Sequence, residues 1–134
     1  MQAPLIAYAA TAPVFFAMDF VWLGVTAERV YKANLGGMMM DKPNLGVAAG
    51  FYLIYVIGVV VFAVMPAIEQ ASWMRALWGG ALLGLVAYGA YDLTNLATLK
   101  NWPWVVSAVD MAWGTFATGI AATAGYFITR YFTA

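Results

Sequence analysis

Apolar residues run through this chain in four long blocks with polar breaks between them. The blocks extend from about Leu5 to Thr26, Gly46 to Ile68, Ala76 to Leu96 and Pro103 to Ile128. Each reaches the roughly 20 residues that a helix needs to cross the hydrocarbon core of a bilayer. Two of the three connections are short, so successive helices are expected to lie antiparallel in a compact bundle. The pattern therefore predicts an all-α integral membrane protein, with residues 1–134 forming one four-helix transmembrane domain (spans about 5–26, 46–68, 76–96 and 103–128). The long connection, Ala27 to Leu45, carries Glu28, Arg29, Lys32, Asp41 and Lys42. A short interfacial helix is expected at its start, then a turn broken by Gly36-Gly37, resting on the bilayer surface or on another protein.

Small residues mark where helices can approach closely in lipid. Gly46-Val-Ala-Ala-Gly50 opens the second block, Gly80-Ala-Leu-Leu-Gly84 lies in the third, and Gly119, Ala121 and Gly125 line part of the fourth. Trp73, Trp78, Trp102 and Trp104 fall at the ends of blocks, where interfacial aromatic anchors are found. Arg29, Lys32, Lys42 and Lys100 lie on one side of the bundle, and Arg75 and Arg130 on the other. By the excess of basic residues on cytoplasmic loops, both termini are expected outside, in the periplasm.

Against this apolar background three carboxylates stand out. Asp19, Asp92 and Asp110 lie well inside the predicted spans, where a charge costs about 2.5–3.5 kcal/mol on insertion scales. Asp19 is about seven residues from the inner end of its span, Asp92 a few, and Asp110 about seven, which puts Asp19 and Asp110 roughly 10 Å deep from the same side. Three helices thus contribute one carboxylate each to one slab. Helical spacing puts Thr11, Phe15, Asp19, Trp22 and Thr26 on one face of the first span. Gly80, Gly84, Tyr88, Asp92 and Asn95, with Tyr91 beside them, share a face of the third; Ser107, Asp110, Trp113 and Gly114 share one of the fourth. Asp-x-x-Trp occurs twice, as Asp19/Trp22 and Asp110/Trp113. The expected site is a polar pocket formed by Asp19, Trp22, Tyr88, Tyr91, Asp92, Asn95, Asp110 and Trp113. The second span has only Tyr52 and Tyr55 as polar handles and is expected to contribute least. With no basic residue inside the spans, the acids are expected to share protons, to hold a cation, or to be reached by Arg29, Lys32 or Lys100 from the boundary.

Composition narrows the chemistry. The chain is 65% hydrophobic and 9% charged, against about 25% charged in soluble domains. Its formal net charge is zero, and no basic patch suggests nucleic acid. It has neither cysteine nor histidine, which removes disulfides, thiolate chemistry and the usual metal and haem ligands. The Met38-Met39-Met40 triplet alone is thin support for a soft metal, so no metal and no cofactor are expected. The Met-Gln-Ala-Pro start has no basic stretch and the first block exceeds a signal-peptide core, so it reads as a retained span.

The run Tyr-Asp-Leu-Thr-Asn-Leu-Ala-Thr-Leu-Lys-Asn-Trp-Pro, Tyr91 to Pro103, resembles the signature of a family of predicted bacterial membrane proteins, domain of unknown function 2177. Met-Asp-Phe-Val-Trp-Leu-Gly from Met18 and Val-Asp-Met-Ala-Trp-Gly from Val109 are similar to its pattern. The resemblance spans nearly the whole chain. It implies a four-span protein of the bacterial inner membrane and supplies no substrate, cofactor or catalytic residue. The leading expectation is a site for a small amphipathic or lipid-like molecule near the cytoplasmic side. No arrangement of nucleophile and base is evident, so the balance is against an enzyme. A proton- or cation-coupled transporter and an accessory subunit of a larger complex are the alternatives, and a homodimer is open. The lipid bilayer is the expected partner throughout, and interhelical hydrogen bonding alone would also account for the buried polar groups.

Overall fold

The computed structural model describes residues 2–133. Four helices in it are long and apolar enough to cross a membrane: Gln2–Met38, Leu45–Gln70, Trp73–Thr98 and Trp104–Thr133. They are called the first to fourth helices below. No strand occurs among the described residues, and the helices pack together as an all-α membrane bundle. The third and fourth helices share the most extensive interface, and the first lies along the fourth. The second helix packs on the others mainly through its middle.

The chain turns the usual soluble pattern inside out. Phe20, Phe51, Phe62, Trp78, Phe116 and Phe132 are among many large apolar side chains left exposed on the outside. The interior instead combines valines and small residues with polar groups such as Thr11, Asp19, Asp92, Ser107 and Thr118. Lipid tails are as apolar as leucine, so burial drives no helix association in a bilayer; close packing and hydrogen bonds must do it. Trp73, Trp78 and Trp104 are exposed, consistent with an aromatic belt, whereas the Trp102 ring turns inward and its Nε1 donates to Ser107 Oγ at 3.0 Å.

Two of the small-residue motifs have separate fates. A Cβ on Gly80 would lie 2.7 Å from the Thr118 carbonyl oxygen, and one on Gly84 would fall on the backbone of Gly114. The third helix therefore meets the fourth backbone to backbone. By contrast, a Cβ on Gly50 would meet nothing within 4 Å, and one on Gly46 would touch only Asn44 Oδ1 at 3.4 Å. The glycines opening the second helix thus serve no packing within the chain. Local caps set the starts of the second and third helices: Asn44 Oδ1 accepts from the Val47 N–H at 3.1 Å, and Ser72 Oγ from the Arg75 N–H at 3.2 Å.

The first helix corrects the expected break after Thr26. Residues Ala27–Lys32 form a π-helical turn that carries the helix on without interruption, and it ends only in the 3-10 turn Gly36–Met38. Nothing in this stretch breaks a helix before Gly36, whose φ of +51° favours glycine. The predicted short interfacial helix is therefore the continuation of the first span. At 37 residues the helix is about 55 Å long, well beyond the roughly 30 Å of a hydrocarbon core. Pro13 sits within it on an exposed face and leaves it unbroken. A second π-helical turn, Val60–Val64, lies mid-way along the second helix and buries Val60, Ala63 and Val64 in the core.

Candidate functional site

Where the first helix faces the fourth, the two Asp-x-x-Trp motifs run in opposite directions and interlock. The Trp22 and Trp113 rings stack with centroids 4.4 Å apart and planes 4° from parallel. Trp113 Nε1 donates to Asp19 Oδ1 at 3.2 Å. Trp22 Nε1 donates to the Tyr31 hydroxyl at 3.1 Å, and that hydroxyl donates to Asp110 Oδ1 at 2.7 Å. Each motif's tryptophan therefore supports the other motif's carboxylate, one directly and one through Tyr31. A buried acceptor left without a donor costs about 1–3 kcal/mol and more when charged, so these donors hold the acids where they are.

Beside this interlock lies a cavity of about 160 Å³. Asp19 and Asp110 border it together with four tyrosines, Tyr31, Tyr52, Tyr88 and Tyr91. Trp22, Leu23, Leu35 and Val106 complete the wall. Asp19 is 5% exposed, with the Trp113 indole N–H on its Oδ1 and the Tyr52 hydroxyl beside its carboxylate. Tyr52 and Tyr88 lie within electrostatic reach of both carboxylates. No lysine or arginine lines the space. Arg29, Lys32 and Lys100 are all exposed, so basic side chains do not reach down to the acids.

Tyr88 owes its place to a glycine: a Cβ on Gly114 would fall within the Tyr88 ring. The ring lies across the junction of the third and fourth helices and meets the Tyr55 ring edge-on at 6.1 Å. Tyr55 in turn shares a buried 2.8 Å hydrogen bond with Thr118 on the fourth helix.

The eight residues expected from sequence divide. Asp19, Trp22, Tyr88, Tyr91 and Asp110 line the cavity, and Trp113 stands behind it through the stack and its bond to Asp19. Asp92 and Asn95 are outside the lining. Asp92 is 0% exposed, and neither of its carboxylate oxygens has a hydrogen-bond partner. It neighbours Asp110 in the interface of the third helix with the fourth, and its backbone carbonyl accepts from Ser107 Oγ at 2.8 Å. Tyr91 takes the cavity position beside it and meets Trp102 edge-on at 5.9 Å. No group of three acidic residues close enough to hold a metal ion occurs among the described residues. The three carboxylates thus form a pair, Asp92 with Asp110, and a separate Asp19 facing across the cavity.

The family model described as a predicted membrane protein, domain of unknown function 2177, matches residues 4–127. The chain belongs to that family. No curated protein and no solved structure shows a significant match to this member of the family.

Among the cavity residues not expected from the sequence, two are polar, Tyr31 and Tyr52. Tyr52 brings the second helix into the site that it was expected to leave to the other three. Tyr31 comes from the supposed connection, and the π-helical turn explains how. A regular helix continues the face of Trp22 and Thr26 to Arg29 or Val30; the extra residue of a π turn moves that position to Tyr31. The only signal in the sequence was an aromatic hydroxyl among charged residues just beyond a polar helix face.

Proposed function

We propose that this membrane protein binds a small amphipathic molecule, with its polar end in the cavity between Asp19 and Asp110. One observation carries the reading. The cavity shares a wall, Trp22, with an apolar groove of about 440 Å³ on the bundle's outer surface. Ala17, Met18, Val21 and Val25 of the first helix line this groove, and Trp113 of the fourth helix closes it. A polar chamber and an apolar trough that both border one indole suit a ligand with both kinds of surface. Binding sites of this type have mostly apolar walls with a few placed polar groups. The residues assigned to ligand contact are Asp19, Trp22, Tyr31, Tyr52, Tyr88, Tyr91 and Asp110.

The test is extraction of the protein with its native lipid in polymer-bounded discs, followed by native mass spectrometry. The wild type is expected to retain a bound small amphiphile, and Asp19→Asn/Asp110→Asn to lose at least nine-tenths of it while keeping its elution volume. Equal retention by both proteins sinks the proposal.

We place the protein in the inner membrane of a bacterium with both termini outside, on the family resemblance and the bias of basic residues. The cavity then lies near the cytoplasmic side. Because the chain has no cysteine, single cysteines at Gly37 and Thr133 give unambiguous labelling. Gly37→Cys is expected to be protected from an impermeant maleimide in intact cells and Thr133→Cys to react; the opposite result inverts the topology.

A further inference from the structure

The cavity's chemistry is one-sided. Its wall holds two carboxylates and no lysine or arginine, and the remaining polar groups are tyrosine hydroxyls. Five aromatic rings, those of Tyr31, Tyr52, Tyr88, Tyr91 and Trp22, surround the same space. Aromatic faces carry negative charge density and attract cations, more strongly when water is excluded. Asp19 is more than nine-tenths buried and borders the cavity beside the Tyr52 hydroxyl. Two carboxylates on one cavity wall with no lysine or arginine beside them favour a cation from outside the chain. An anionic headgroup would find repulsion and no donor beyond hydroxyls.

Size and continuity define the rest of the ligand. At roughly 30 Å³ of liquid volume per water, about 160 Å³ suits one compact ammonium group better than a bulky headgroup. The apolar groove follows the first helix from Ala17 to Val25, about 12 Å along the axis, within the first candidate membrane span. An alkyl chain suits it, and Trp22, which borders both the groove and the cavity, marks where chain and headgroup would join.

From this we infer that the ligand is an alkyl amphiphile with a cationic amine headgroup, the ammonium seated between Asp19 and Asp110 against the tyrosine rings and the chain lying in the groove between the first and fourth helices. The inference rests on the amphiphile-binding reading and adds the sign of the headgroup and the seat of the tail.

The experiment uses the full chain in a neutral maltoside detergent, titrated with three probes and followed by tryptophan fluorescence. Dodecyltrimethylammonium carries headgroup and tail, dodecyl phosphate carries the same tail with the opposite charge, and tetramethylammonium carries no tail. Dodecyltrimethylammonium is expected to bind at least tenfold more tightly than either of the others. Asp19→Asn/Asp110→Asn is expected to bring the two dodecyl probes within twofold of each other. The wild-type comparison decides the matter even if that variant fails to fold. Equal affinity for the cationic and anionic probes overturns the charge assignment and leaves amphiphile binding standing. Tetramethylammonium binding as tightly as its dodecyl analogue overturns the tail assignment, and no response to any probe overturns both this inference and the reading beneath it.

Discussion

Gly84→Ala is expected to lower the thermal stability of the bundle by about 3 kcal/mol, the upper end of what overpacking usually costs. The reason is the neighbour it would strike. A Cβ on Gly84 falls on the carbonyl group of Gly114, and backbone inside a helix cannot rotate aside as a side-chain tip can. The third and fourth helices must separate, and their interface is the largest in the molecule. In a bilayer no hydrophobic gain compensates, because lipid covers the parted surfaces equally well. Gly50→Ala is the matched control, since nothing lies within 4 Å of the added carbon. Thermal unfolding of both variants in mild detergent checks the prediction; equal midpoints would show that the two helices do not approach so closely.

The second large effect is an asymmetry within the tryptophan pair. Trp113→Phe keeps an aromatic ring in the stack but removes the donor to Asp19 Oδ1. Asp19 is 5% exposed, so only a water ordered in the cavity could take the place of that donor. The expected loss is about 1–3 kcal/mol. Trp22→Phe removes a donor to the Tyr31 hydroxyl, yet that hydroxyl still donates to Asp110. Its loss should be about 1 kcal/mol or less, the net worth of an ordinary hydrogen bond. Urea-free thermal melts of the two variants side by side would reveal the difference, and a larger effect from Trp22→Phe would contradict the assigned hydrogen bonds.

Much of the architecture was readable beforehand because lipid leaves few options. Apolar runs of spanning length must be helices, and the four predicted blocks correspond to the four long helices. Depth counting brought Asp19 and Asp110 to one level, and the repeated Asp-x-x-Trp spacing pointed to the helices that carry the interlock. What failed was direction around the helix. Periodicity says that Tyr88 and Asp92 share a face of the third helix, but not which neighbour that face meets. Asp92 turns into the packed interface with the fourth helix while Tyr91 reaches the cavity. Tyr31 was hidden for a different reason: a π-helical turn adds a residue to the repeat, and no spacing rule anticipates the insertion. Tyr52 was passed over because the second helix has no polar stripe, only isolated rings.

The length of the first helix gives the cavity a mechanical handle. Its tip, from Ala33 to Met38, continues as helix beyond Tyr31 and is largely exposed. The same rod runs back through Trp22 and Asp19 into the bundle. A partner or a membrane surface that pulls on the tip would act on a lever held by Leu35 in the cavity wall and by the bond from Tyr31 to Asp110. Levering that hydroxyl away would take the donor from one carboxylate of the chamber.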